Sequence, residues 1–173
     1  GERVYETDFI MPDECVKELT YMYEYAKTHA REISLFGCSM GAYFELLTFA
    51  DFDIDKVFFL SPVTDMERII HNLMEYCNIN EQQFREKVTV ENDIETLYFP
   101  YYEYVKNHPI TKWKHKTYIL RGETDTLCEY SYVKGFADDT VNCEKITDEL
   151  IKVQPEEAYS NAKIKFIIKN LIS

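Results

Sequence analysis

Apolar residues along this chain fall into two spacings that alternate: short unbroken runs and helical repeats. Arg3 to Phe9, "RVYETDF", has the valine and aromatics of a strand and is closed by Pro12. Asp13 stands at an N-cap position after that proline, and Val16, Leu19, Tyr23 and Ala26 recur at helical spacing through Lys27. Ile33 to Phe36 is an apolar run between charged residues and Gly37, the pattern of a buried strand. "AYFELLTFA", Ala42 to Ala50, is a largely apolar helix, and "VFFL", Val57 to Leu60, is a second buried strand ended by Ser61-Pro62. Thr64 to Trp113 reads as helices with polar interruptions, among them Met66 to Tyr76 and the tyrosine-rich "TLYFPYYEYV". Thr117 to Leu120 is a third buried strand, ended by Arg121-Gly122, and Tyr130 to Phe136 a short helix. A strand near Leu150 to Val153 and an amphipathic helix from Ala162 to Ile172 close the pattern.

Buried strands alternating with helices predict an α/β fold, a parallel sheet flanked by helices. A chain of 173 residues suits one domain, 1–173. The spacing makes Ile33 to Phe36 the central strand, with Val57 to Leu60 and Thr117 to Leu120 parallel on one side of it. The long stretch between the latter two, about 62–113, is predicted to form a helical cap over the carboxyl edge of the sheet, with Ile69, Leu73 and Tyr76 on its apolar face.

Composition narrows the function classes. A hydrophobic fraction of 46% with 15% aromatics excludes a disordered chain. The net charge of -12, from 31 acids against 19 bases, disfavours nucleic acid and anionic membrane as partners. Cys15, Cys38, Cys77, Cys128 and Cys143 are odd in number and form no C-x-x-C pair, so neither a disulfide framework nor a zinc site is indicated, and a reducing cytosol is the simplest compartment. No apolar run spans a bilayer and no signal peptide is visible. With no phosphate loop and no clustered His/Cys/Asp set, no cofactor or metal is expected. Oligomeric state is not written in the pattern.

The chemistry concentrates in Gly37-Cys38-Ser39-Met40-Gly41, a G-x-S-x-G sequence between a predicted strand and a predicted helix. In a nucleophile elbow the serine sits on a strained strand-to-helix turn. Strand and helix approach closely there, so the positions two before and two after, Gly37 and Gly41, must be small. The N–H of Met40 would point toward a developing oxyanion. The alternative is a tight turn in which Ser39 caps the helix. Asp125 follows the strand that ends in Arg121-Gly122, the place of a triad acid, with Glu123 a weaker candidate; the alternative for Asp125 is a turn aspartate closing its own loop. The base should follow the acid, yet His29, His71, His108 and His115 all precede Asp125. Of these, His71 is a faint candidate, because the cap folds over the sheet edge, while His108 and His115 read as structural.

These residues resemble the α/β-hydrolase superfamily, and more closely a group of small bacterial α/β hydrolases. The resemblance runs from about Pro12 to Phe136, through "LFGCSMGAYFELL", "FFLSPVTDMERII", "YVKNHPITKW" and "YILRGETDTLCE" in that order. It implies Ser39 as nucleophile and Asp125 as triad acid. Such hydrolases carry a G-E-H-[WY]-F type segment before the last helix; the corresponding stretch here, "PEEAYS", puts Ala158 at the expected histidine position. They also place early strands and an H-G oxyanion loop upstream, where this chain has room for one strand. Either the fold is shortened at its N-terminus or the chain is a fragment.

The expectation is a serine esterase or acyl hydrolase by ancestry, acting on a small ester or acyl ligand, with turnover impaired or absent for want of the histidine. The alternative is a non-catalytic binding or interaction module on the same fold, whose Tyr-, Phe- and Met-rich cap lines an apolar pocket.

Overall fold

The computed structural model describes residues 10–122 and 125–139 and the short strand 143–144. The strands expected at Arg3 to Phe9 and near Leu150 to Val153, and the helix expected at Ala162 to Ile172, lie outside the described residues.

Helix α1 (Pro12–Lys27) begins with proline at its first turn, where a missing N–H costs nothing. Its N-cap is Met11, two positions before the expected Asp13; Asp13 instead favours the helix dipole from the first turn and pairs with Lys17 at 2.7 Å. Strand β1 (Ser34–Cys38) leads through Ser39 into α2 (Met40–Phe49), followed by β2 (Lys56–Leu60). The insertion then supplies α3 (Met66–Tyr76), α4 (Glu81–Lys87), a two-stranded ladder of β3 (Thr89–Val90) and β4 (Leu97–Tyr98), and α5 (Phe99–Asn107). Strand β5 (Thr117–Leu120), α6 (Tyr130–Asp139) and β6 (Cys143–Glu144) complete the described elements.

The main sheet is parallel in the order β1-β2-β5-β6. As expected, β2 and β5 lie on one side of β1, with Leu35 opposite Val57 and Phe58 opposite Tyr118. Among the described strands β1 stands at one end of this order; the expected strands at Arg3 to Phe9 and near Leu150 to Val153, which bear on its central place, lie outside the described residues. Phe36 of β1 is 48% exposed and stacks on Phe58 at 5.7 Å. β2 and β5 are the interior strands of these four, and Val57, Phe58, Phe59 and Leu60 of β2 are all buried.

Helix α2 is apolar almost all round because two cores use it. Ala42, Leu46 and Phe49 pack with Tyr23 of α1, Val57 and Phe59 of β2, and Trp113. Tyr43 instead joins the insertion's core of Ile70, Met74, Phe84 and Tyr102, which continues to Val133 of α6. Each such fully buried aromatic or aliphatic side chain contributes about 1.5–3 kcal/mol.

The insertion is helical where its pattern is helical. Asp65 caps α3 by accepting the Arg68 N–H at 2.9 Å, and Asn80 and Gln83 form a capping box on α4. The β3–β4 ladder was not legible in the apolar spacing, since two-residue strands carry no period. Three contacts seat the insertion against loops at the carboxyl ends of the strands. Val63 N–H donates to the Ser39 carbonyl at 3.2 Å, the Tyr101 hydroxyl meets Met40 Sδ at 3.9 Å, and Asn72 Nδ2 donates to Glu129 at 2.9 Å. No described helix is long and apolar enough to cross a membrane.

Candidate functional site

Parallel strands send their loops to one edge, so the turns after β1, β2 and β5 gather there. At the first of these, Ser39 has φ 51° and ψ -122°. This is a positive-φ conformation that costs a non-glycine residue about 1–3 kcal/mol. Packing holds it there. The Ser39 N–H donates to the Leu60 carbonyl at 3.0 Å, and its own carbonyl accepts from Ala42 at 3.1 Å and Val63 at 3.2 Å. Its side chain makes no cap bond to α2, although it occupies the N-cap position. The helix-capping alternative is therefore excluded: the backbone is strained, and the residue stays exposed.

The two glycines differ. A Cβ on Gly37 would stand 2.7 Å from the Ala42 Cα and 3.0 Å from its N, so the strand and helix backbones need glycine there. A Cβ on Gly41 would meet nothing within 4 Å among the described residues. Among the described residues, close approach demands glycine at Gly37 and not at Gly41. Met40 is the first residue of α2, where the N–H has no intrahelical acceptor.

Asp125 is half-buried after β5, and its Oδ1 accepts from the N–H groups of Leu127 at 3.1 Å and Cys128 at 2.9 Å. It therefore closes its own loop, as the turn alternative describes. Arg121, which sequence reasoning treated only as a strand end, organises the same loop. Its buried guanidinium donates to the carbonyls of Gly122, Asp125 and Cys128. The signal that could have found it is an arginine ending an apolar run, since a buried guanidinium needs several acceptors. The loops connect through β2: Ser61 N–H donates to the Leu120 carbonyl at 2.6 Å, and Cys128 Sγ donates to the Ser61 carbonyl at 3.0 Å. Ser61 shares the strain, with φ 44°. Burial pushes the Cys128 thiol up to about 12, so it stays protonated.

The histidines are engaged elsewhere. His29 Nδ1 lies against the Tyr25 carbonyl at the end of α1. His71 Nε2 is 3.0 Å from the Tyr102 hydroxyl, which donates to Glu81, itself bound by Lys106; the chain ties α3, α4 and α5 together. His108 Nδ1 binds the Tyr104 carbonyl at 2.7 Å. His115 is 4% exposed and binds the carbonyl of Phe49, the last residue of α2. A helix of that length spans about 15 Å, so His115 sits at the far end from Ser39. Ala158 and Glu123 lie outside the described residues. No group of three metal-ligating side chains occurs among the described residues.

A cavity of about 470 Å³ lies on the flank of α2, and its walls include Tyr43, Thr64, Met66, Trp113 and Phe136. Ser39, Met40 and Asp125 are not among its walls.

No family model matches the sequence, and no curated protein matches it. Solved structures do. Mouse alpha/beta hydrolase domain-containing protein 10 is similar with a TM-score of 0.75 at 13% identity, over 99% of this chain and 73% of that one. Est1E from Butyrivibrio proteoclasticus, solved with ferulic acid bound, has a TM-score of 0.69 at 18% identity, over 95% of this chain and 70% of that one. A lipase-esterase related protein from Clostridium acetobutylicum has a TM-score of 0.54 at 16% identity, over 96% of this chain and 79% of that one. The chain has the α/β-hydrolase fold.

Proposed function

We propose that this protein is of the serine esterase or acyl-hydrolase type, with Ser39 in the nucleophile position, the Met40 N–H as an oxyanion donor and Asp125 as the acid, and that it turns over esters barely above background. The observation that carries the reading is the Ser39 backbone at φ 51° and ψ -122°, held on the strand-to-helix turn with a side chain that does not cap the helix. That strain has a use in presenting a hydroxyl. Similarity to Est1E with ferulic acid and to an esterase from Exiguobacterium antarcticum supports an ester or acyl ligand.

The proposed impairment rests on the order of residues: within this sequence no histidine follows Asp125. A serine hydroxyl is a poor nucleophile unless a neighbour takes its proton. Asp125 spends Oδ1 on its own loop, and with a reference pKa near 3.9 a carboxylate is a weak base. In serine hydrolases, loss of the histidine lowers kcat by about 10⁶ and leaves roughly 10³–10⁴ over water. The odd cysteine count supports assignment to the reducing cytosol.

The test is hydrolysis of p-nitrophenyl acetate with and without Ser39→Ala, alongside labelling by a fluorophosphonate. The expected result is a rate that changes less than about twofold, with weak labelling. Turnover comparable to ordinary esterases, abolished by Ser39→Ala, would show that another group supplies the base. A second reading, a non-catalytic binding module, is favoured by the cavity beside α2.

A further inference from the structure

Helix α1 has two faces. Leu19 and Tyr23 pack into the core beside α2. At about 100° per residue, Glu14, Glu18, Tyr21, Met22 and Tyr25 fall together on the opposite side, within an arc of about 100°. The large ones are uncovered: Tyr21 is 76% exposed, Met22 65% and Tyr25 69%. Scattered apolar residues on a surface are ordinary, but neighbours on one stripe mark an interaction face. His29, just past the helix, continues the stripe: its ring stacks on Tyr25 at 4.3 Å and its Nδ1 lies 2.8 Å from the Tyr25 carbonyl. That stack holds both rings in place, so little side-chain freedom remains to be lost on association.

The stripe is its own complement. Its positions pair off about a point between Tyr21 and Met22: 14 with 29, 18 with 25, and 21 with 22. An antiparallel copy of α1, related by a two-fold axis through that point, sets Tyr21 against Met22 and Glu14 against His29, each of them twice. Tyrosine beside methionine makes a favourable sulfur–aromatic contact, and both residue types are enriched at interfaces. The ends match in charge, because the Glu14 carboxylate of one copy faces the His29 imidazole of the other, with Arg31 two residues further on. An anionic membrane or a nucleic acid does not suit a stripe whose first half is acidic. Copies carrying a net charge of -12 repel one another and the stripe is narrow, so the association is weak. We propose that the outer face of α1 is an isologous dimer interface, on which two copies of this chain pack α1 against α1, antiparallel, about the Tyr21–Met22 point.

The test is analytical ultracentrifugation of the whole protein over about 5–300 µM at neutral pH, in about 0.15 M salt to screen the net charge. The expected result is a reversible monomer–dimer equilibrium with a Kd of about 10–100 µM, as suits a small, transient interface. Met22→Asp places two carboxylates beside the axis and should weaken the dimer about tenfold or more. Met22 is exposed, so the variant should keep its fold, which circular dichroism checks. His29→Glu sets like charges opposite each other and should weaken the dimer about threefold to tenfold. Adding Glu14→Lys restores the attraction and should return the Kd to within about twofold of wild type. Within one copy, positions 14 and 29 lie about 22 Å apart, more than two Debye lengths at that salt, so rescue reports contact between copies. A monomer across the whole range overturns the interface, and so does a dimer indifferent to Met22→Asp. A dimer indifferent to His29→Glu, or lost in it and not restored by Glu14→Lys, overturns the antiparallel register.

Discussion

Glu45 lies on α2 against β1, with its Oε2 3.0 Å from where a Gly37 Cβ would stand. That oxygen is buried with no hydrogen-bond partner among the described residues, and burial alone raises the carboxyl from 4.5 to about 8. The folded state therefore holds a proton that the unfolded chain releases. A raised folded-state pKa gives stability that is fully present below the unfolded value and lost as pH rises through the folded one. Here the loss runs from about pH 4.5 to about pH 8 and then levels off. At about 1.4 kcal/mol per unit, the upper figure is near 5 kcal/mol. Partial exposure reduces this to about 2–3 kcal/mol. Glu45→Gln keeps the shape and cannot ionise. Urea unfolding of both proteins at pH 4, 6 and 9, at constant ionic strength, should show near-equal stability at pH 4 and a gain for the variant that grows to about 2–3 kcal/mol at pH 9. Taking the difference cancels the other acids of this strongly negative chain. A difference that stays flat with pH, or a variant less stable at pH 9, would refute the burial argument.

Two further perturbations test local packing. Gly37→Ala should cost about 2–3 kcal/mol by thermal or urea unfolding, because the obstruction is backbone and cannot swing away, whereas Gly41→Ala should leave the midpoint within about 0.5 kcal/mol of wild type. Asp65→Ala removes the α3 cap and should destabilise by about 1 kcal/mol, with faster hydrogen exchange at the Arg68 amide as its local signature.

Short-range physics made much of this molecule legible in the sequence. The β1–α2 turn rests on a glycine before a serine between an apolar run and an apolar helix, and Ser39 adopts its strained backbone there. The runs at Val57 to Leu60 and Thr117 to Leu120 became adjacent parallel strands because continuous apolar runs have two faces to bury. The order of histidines and acid along the chain was also readable directly.

Other features depended on which segments meet. The run at Ile33 to Phe36 looks as buried as that of β2, but an apolar run does not state what packs on each of its faces, and Phe36 is half-exposed. Gly37 and Gly41 are equivalent in the motif and differ only once α2 crosses β1, which brings Ala42 against Gly37 alone. Asp125 could orient a partner or close a turn, and the N–H groups of Leu127 and Cys128 decided where its Oδ1 points. Helical spacing placed Tyr43 and Glu45 on α2, but that their buried oxygens have no partner among the described residues follows from tertiary packing. Desolvation is set by every element around a group, and its own stretch of chain cannot encode that.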